Sequence, residues 1–151
     1  MISIIAIGKR HESWITEGME RYSKRLQGPW KIDWVLLPHS PFDGLQARQD
    51  ESQRILAKLT PADLVVMLDE KGKLLGSPAL ARQFEALQST GRRIVCVIGG
   101  AYGVTDELIA RADVVWSLSP LVFPHQLVRL IVVEQLYRAQ SIAGGHPYHH
   151  E

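Results

Sequence analysis

Five short apolar runs, each closed by a turn residue, constrain what this chain can fold into more than any other feature. They are Ile2–Ile7, Ile32–Leu37, Leu64–Leu68, Ile94–Ile98 and Val114–Leu118, rich in Val and Ile and bounded by Gly, Pro, Asp or Ser. A run that is apolar at every position suits a strand covered on both faces, as in a parallel sheet. Five helical patterns of suitable length alternate with these runs: Glu12–Leu26, Leu45–Leu59, Pro78–Gln88, Thr105–Ala112 and Pro124–Ala143. The alternation predicts an α/β fold, a mainly parallel, twisted sheet with helices on both faces. A chain of 151 residues is long enough to bury a proper core. No repeat, linker or low-complexity segment divides residues 1–151, so a single domain is expected.

Local signals refine the boundaries. Ser77 before Pro78 reads as an N-cap with proline in the first turn. Thr105, followed by Asp106 and Glu107, reads as another cap. Pro38 to Gly44 is the longest irregular stretch and is expected to be a mobile surface loop. Gly72 and Gly76 mark a second loop directly after the third strand. The last helix is unusual in being apolar nearly all round. Val128, Val132, Leu136 and Ala139 share one side, while Leu127, Leu130, Ile131 and Ile142 spread over the rest. A second copy of the chain would cover the surplus face, which predicts a homodimer. A helix sandwiched inside one chain would satisfy the same pattern.

Several classes fall away. With 46% apolar and 22% charged residues the chain is neither disordered nor membrane-like, and Arg129 and Glu134 interrupt its most apolar region. The apolar start precedes Lys9-Arg10, the reverse of a secretory signal, and reads as a first strand. Cys96 has no partner for a disulfide and falls in a buried strand, which fits a cytoplasmic location. A formal net charge of +1 does not predict strong sequence-independent affinity for free RNA.

Ligands of open α/β sheets bind beyond the carboxyl ends of the strands. Here those ends are Leu68-Asp69, Ile98-Gly99-Gly100 and Leu118 to Phe123. None is a GxGxxG motif or a P-loop, so a pyrophosphate ligand is disfavoured. Gly99 and Gly100 permit close backbone approach to a ligand, or simply make a tight turn. Leu118-Ser119-Pro120-Leu121-Val122-Phe123-Pro124 is apolar and stiffened by two prolines. Such a segment offers backbone polar groups and an oily wall, which suits a flat ring. Candidates for acid–base or substrate contacts are His125, Arg129, Glu134, Arg138, Tyr148, His149 and the terminal carboxylate of Glu151. Each has a plainer reading. His125 can cap its helix, Glu134 and Arg138 can be an i, i+4 surface pair, and His149-His150 can be a loose tail. His125, His146, His149 and His150 lack a cysteine partner or HExxH spacing, so no metal is expected.

Ile98-Gly99-Gly100-Ala101-Tyr102-Gly103, Leu118 to His125, Arg129, Glu134, Tyr137-Arg138 and Tyr148-His149 together resemble the bacterial large-subunit rRNA methyltransferase H family. Those are small SPOUT methyltransferases that act on a pseudouridine of 23S rRNA. The resemblance runs the whole length and is densest after Leu64. It implies a C-terminal trefoil knot, which no sequence pattern shows, and S-adenosylmethionine as cofactor. By position, Leu68, Gly100, Leu118, Ser119, Pro120, Leu121, Val122 and Phe123 would hold that cofactor, and the tail of one subunit would reach the pocket of the other. It implies methylation of N3 of a pseudouridine in 23S rRNA within the ribosome, by a cytoplasmic homodimer with no metal and no membrane attachment. The family commonly carries Lys or Arg after the terminal histidine, where this chain has His150, so a permanent charge is missing there. A non-catalytic RNA- or nucleotide-binding module on the same fold, or a SPOUT enzyme with another RNA target, would share these features.

Overall fold

The computed structural model describes residues 1–150; Glu151, and with it the terminal carboxylate, lies outside the described residues. The elements follow in the order β1 (Ile2–Ile7), α1 (Ser13–Ser23), a 3₁₀ turn (Gly28–Trp30), β2 (Ile32–Leu37), α2 (Gly44–Leu56), β3 (Leu64–Leu74), α3 (Ser77–Gln88), β4 (Ile94–Ile98), α4 (Asp106–Arg111), β5 (Val114–Ser117) and α5 (His125–Ala143). Every neighbouring pair in the sheet is parallel, in the order β2-β1-β4-β3-β5. The expected α/β architecture with a parallel sheet is therefore present.

The period-two geometry of the strands divides their side chains between two cores. Ile2, Ile4, Ala6, Val66, Ile94 and Cys96 point to one face, where α3 brings Phe84 and Leu80 and α5 brings Val132, Leu136 and Ala139. Ile5, Ile7, Val65, Met67, Val95 and Val97 point to the other, covered by Ile55 of α2 and Leu108 of α4. Each such side chain, fully buried, contributes about 1.5–3 kcal/mol. Helix α1 adds a further layer, packing Ile15 and Met19 onto Val133 of α5.

That layer covers part of the apolar girth of α5. The helix lies over the sheet beside α3 and beneath α1, and no residue from His125 to Ile142 is fully exposed. Most of its all-round apolarity is absorbed within the chain, leaving Leu127, Leu130 and Ile131 half-buried.

Other boundaries move for identifiable reasons. Strand β3 does not stop at Leu68 but continues to Leu74, through an irregularity that re-pairs Lys73 with Trp116 and Leu74 with Ser117. Gly72 makes this possible, since a Cβ there would sit 2.7 Å from the Val115 backbone. The expected loop at Gly72 is thus part of the strand. Helix α3 is capped by Gly76 rather than Ser77, whose hydroxyl donates to Gln135 instead. Thr105 does cap α4, accepting from the Leu108 N–H at 3.3 Å. The stretch from Pro38 to Gly44 is tied down by a bond from Arg54 to the Pro38 carbonyl and one from the Tyr102 hydroxyl to Asp43. Among the described residues, no helix is long and apolar enough to cross a membrane.

Candidate functional site

The end of the regular part of β3, at Leu68, and the carboxyl ends of β4 and β5 enclose a cleft of about 340 Å³. Leu68, Asp69 and Glu70 form one wall, and the turn from Gly99 through Val104 forms another. Leu118, Ser119, Leu121, Val122 and Phe123 close the third side, with His125 and Val128 of α5 at the base. Seven of the eight residues expected to hold a cofactor therefore meet in one place; Pro120 does not line the cleft. The loop after β5 is stapled by two short-range bonds. The Ser117 hydroxyl donates to the Ser119 carbonyl, and the Ser119 hydroxyl accepts from the Leu121 N–H, each at 3.0 Å. Leu121 and Val122 are 69% and 81% exposed, an apolar rim left open to a flat ligand.

A side chain at position 100 would have to displace a buried carboxylate, a constraint the sequence did not disclose. A Cβ there would fall 2.5 Å from Oε1 of Glu51, beneath the turn. The room at Gly100 is therefore demanded first by a buried carboxylate and only then by a ligand. Glu51 lies on α2 with Ala47 and Ile55, all three buried at helical spacing. That stripe is the signal that could have found it.

His125 heads α5, directly after Pro124 at the N-cap position. Burial lowers its pKa, helped by the positive charge of Arg129 and by His39, while Glu51 opposes the shift. The neutral imidazole is thus favoured, a form able to accept a proton.

Arg129 is 2% exposed and does not line this cleft. Its guanidinium donates to the carbonyls of Ile7 and Gly8 at 2.7 and 2.9 Å, and to Nε2 of His11 at 2.7 Å. It closes the end of β1. Burial and this same cation hold the His11 pKa below its ordinary value. Arg129 also forms part of a second cleft, about 450 Å³, which shares His125 with the first and includes Trp14 and His39.

Glu134, Arg138, Tyr148 and His149 gather elsewhere. Arg138 grips Oε1 of Glu134 through two nitrogens, at 2.7 and 3.0 Å. The Tyr148 hydroxyl donates to the same oxygen at 3.2 Å, and Arg138 donates to Nδ1 of His149 at 3.1 Å. The Tyr148 ring stands edge-on to Tyr137 at 4.7 Å, with the Arg138 guanidinium 4.8 Å from its centre. The helical pair is thus a clamp for the tail rather than a plain surface pair. Burial, with the neighbouring Tyr22 hydroxyl and the Glu134 carboxylate, pushes the Tyr148 pKa up to about 12. Tyr148 is accordingly a donor and a stacking surface, not a base. This cluster sits more than two turns along α5 from His125, roughly 14 Å of axial rise. Within one chain the two sets of residues remain apart. Among the described residues, no three His, Cys, Asp or Glu side chains come together as metal ligands.

Comparison with known proteins places these features in context. A family model described as predicted SPOUT methyltransferase matches residues 1–149. A protein of Thioalkalivibrio sulfidiphilus named ribosomal RNA large subunit methyltransferase H is 40% identical over 154 aligned positions, covering 99% of each chain. Proteins of the same name from Xylella fastidiosa and Acetivibrio thermocellus are 43% and 40% identical, covering 97% and 98% of this chain and 95% and 98% of their own. Among solved structures, the SpoU methyltransferase AviRb from Streptomyces viridochromogenes, in complex with AdoMet, aligns at a TM-score of 0.48 and 11% identity, over 92% of this chain and 57% of its own.

Proposed function

This chain belongs to the SPOUT methyltransferase family, among relatives named ribosomal RNA large subunit methyltransferase H, and from that premise we propose that it methylates N3 of a pseudouridine in 23S rRNA. It is an S-adenosylmethionine-dependent rRNA methyltransferase. The observation that carries the reading is the cleft at the ends of β3, β4 and β5, where seven of the residues expected to hold the cofactor line one space. Its chemistry fits that cofactor. Leu118, Leu121, Val122 and Phe123 offer an apolar wall to an adenine ring, and the orphaned carboxylate oxygen of Glu51 lies beneath the turn.

S-adenosylmethionine, when bound, supplies a methyl group activated on a sulfonium, so no metal is needed. The chain's own work is to align the acceptor and take its proton. His125 lines the cleft with its neutral form favoured, and is the group we assign to receive the N3 proton. Tyr148 offers a ring to an extruded base, and Arg138 and His149 offer donors to its phosphate. Glu134 holds that set together. Arg129 positions β1 against α5 beside the cleft.

The distance along α5 between His125 and the tail clamp supports a homodimer in which the tail of one subunit serves the cleft of the other. The loops at 99–104 and 118–123 bound the same space, which supports a trefoil knot made from them. The whole of residues 1–151 would act as one domain in the cytoplasm, on the assembled large subunit. The test is transfer of labelled methyl to large subunits, intact ribosomes and free 23S rRNA, followed by nucleoside analysis. Label in N3-methylpseudouridine is the expected result; label in another nucleoside, or none, refutes the assignment.

A further inference from the structure

Glu51 is the buried ionisable group beside the cleft to which no role has yet been given. It is 3% exposed. Its Oε2 accepts a 2.9 Å bond from the Ser40 N–H, which fixes the side chain, while Oε1 has no hydrogen-bond partner. The salt bridges among the described residues join Arg54, Arg93, Arg111 and Arg138 to other carboxylates, so Glu51 has no cation of its own. A carboxylate out of water without a counter-charge is costly.

The free oxygen faces the underside of the cofactor turn. It would lie 2.5 Å from a Cβ at Gly100, and Gly100 lines the cleft. Glu51 does not itself line the cleft; Gly100, which does, has no side chain to hold the carboxylate further away. The charge is felt there already: Glu51 pulls the pKa of His125 upward, against burial and Arg129.

Resting on the cofactor assignment above, we propose that Glu51 is the fixed counter-charge for the sulfonium of S-adenosylmethionine. The product, S-adenosylhomocysteine, differs at that sulfur by losing both the methyl and the positive charge. A buried carboxylate below the turn therefore discriminates between the two, holding the charged cofactor and releasing the neutral product. The attraction acts through packed protein rather than water, so screening by salt is weak.

Calorimetry on the full-length protein separates this role from a structural one. In the Glu51→Gln variant the side chain keeps its shape and an oxygen for the Ser40 N–H. Its Kd for S-adenosylmethionine should rise about tenfold, while that for S-adenosylhomocysteine stays within about twofold, the effect expected of one partly screened charge. Equal weakening of both ligands would show that Glu51 merely supports the turn, and unchanged affinity for both would show no role; either overturns the proposal. A measurement on the unmodified protein guards against a variant that fails to fold. Sinefungin, which carries an amine in place of the sulfonium, should bind more tightly than S-adenosylhomocysteine by about tenfold. A preference for the neutral ligand overturns the proposal as well. If the unmodified protein binds none of the three, the cofactor assignment itself is wrong and this inference goes with it.

Discussion

Replacing Arg129 with methionine should cost this protein a large share of its thermal stability. Methionine keeps the length and apolar stem of the side chain but donates nothing. One guanidinium nitrogen serves the carbonyls of Ile7 and Gly8 at 2.7 and 2.9 Å, in a residue 2% exposed. A hydrogen bond to a charged donor contributes about 1.5–3 kcal/mol, so losing two costs about 4 kcal/mol. Some of that returns, because Nε of Arg129 is buried without a partner and the variant no longer desolvates it, a relief of about 1 kcal/mol. The net loss of about 3 kcal/mol corresponds to a fall in Tm of about 10 °C for a domain this size. Arg129→Lys keeps a charge and one reach to the carbonyls, and should lose about half as much. Differential scanning calorimetry at neutral pH measures both. A methionine variant melting within about 2 °C of the parent would refute the clamp and return Arg129 to the group of residues explained by cleft chemistry.

Cys96, fully buried with its pKa pushed up to about 12, should resist thiol-reactive dyes in the native protein and react only when denaturant unfolds it. Rapid labelling under native conditions would contradict its place in β4. The folded pKa of His125 lies below the model-compound value of 6.5, so the unfolded chain binds that proton more readily. The stability it contributes is complete above 6.5 and is lost as pH falls toward the folded pKa. His125→Gln should therefore flatten the loss of Tm on acidification without abolishing it, since His11 shifts in the same direction; an unchanged pH profile counts against the assignment. Gly100→Val should lower Tm as well as cofactor affinity, because its first contact is Glu51; weakened binding with an unchanged melt would mean that the ligand side of the turn is the tighter one. Deleting residues 148–151 removes the Tyr148 hydroxyl bond, the bond from Arg138 to His149 and the Tyr148 ring contacts with Tyr137 and Arg138, and should lower Tm by less than about 10 °C, about 2–3 kcal/mol for these part-exposed contacts, yet abolish methyl transfer. A tail-less chain paired with a Gly100→Val chain should recover about half of the parental activity if sites are shared between subunits, and none if each site lies within one chain.

Much of this was written plainly in the chain. The apolar runs that became β1, β2 and β4 have the same limits in sequence and structure: β1 and β4 are buried along their whole length, and turn residues bound the edge strand β2. From their place at strand ends, the loop from Leu118 to Phe123 and the glycine turn were expected to face one space, and both line the same cleft. The extension of β3 was hidden, since Asp69, Glu70, Lys71 and Lys73 read as loop, and pairing with β5 resumes only at Lys73 and Leu74 after the irregularity. Arg129 read as chemistry because its partners are main-chain carbonyls from the opposite end of the chain, which leave no side-chain pattern. Glu51 shares a helical stripe with Ala47 and Ile55, a signal easily lost among its polar neighbours, and only the fold sets it against Gly100. The apolar girth of α5 was correctly noticed, but α1 accounts for most of what a second subunit was invoked to cover.

The clamp at Arg129 also sets the order in which a newly made chain can finish folding. Strand β1 is made before the other four and lies beside the central strand β4, yet the carbonyls of Ile7 and Gly8 at its end wait for a residue of α5, far along the chain. Helix α1 waits too, since Val133 and Leu130 of α5 complete the cover over Ile15 and Met19. All five strands precede α5 in the chain, so the sheet can pair before α5 is made, and β1 and α1 gain their cover only when it arrives. Nascent chains stalled with α5 still inside the exit tunnel should be cut by protease at α1, and chains stalled with α5 outside it should not.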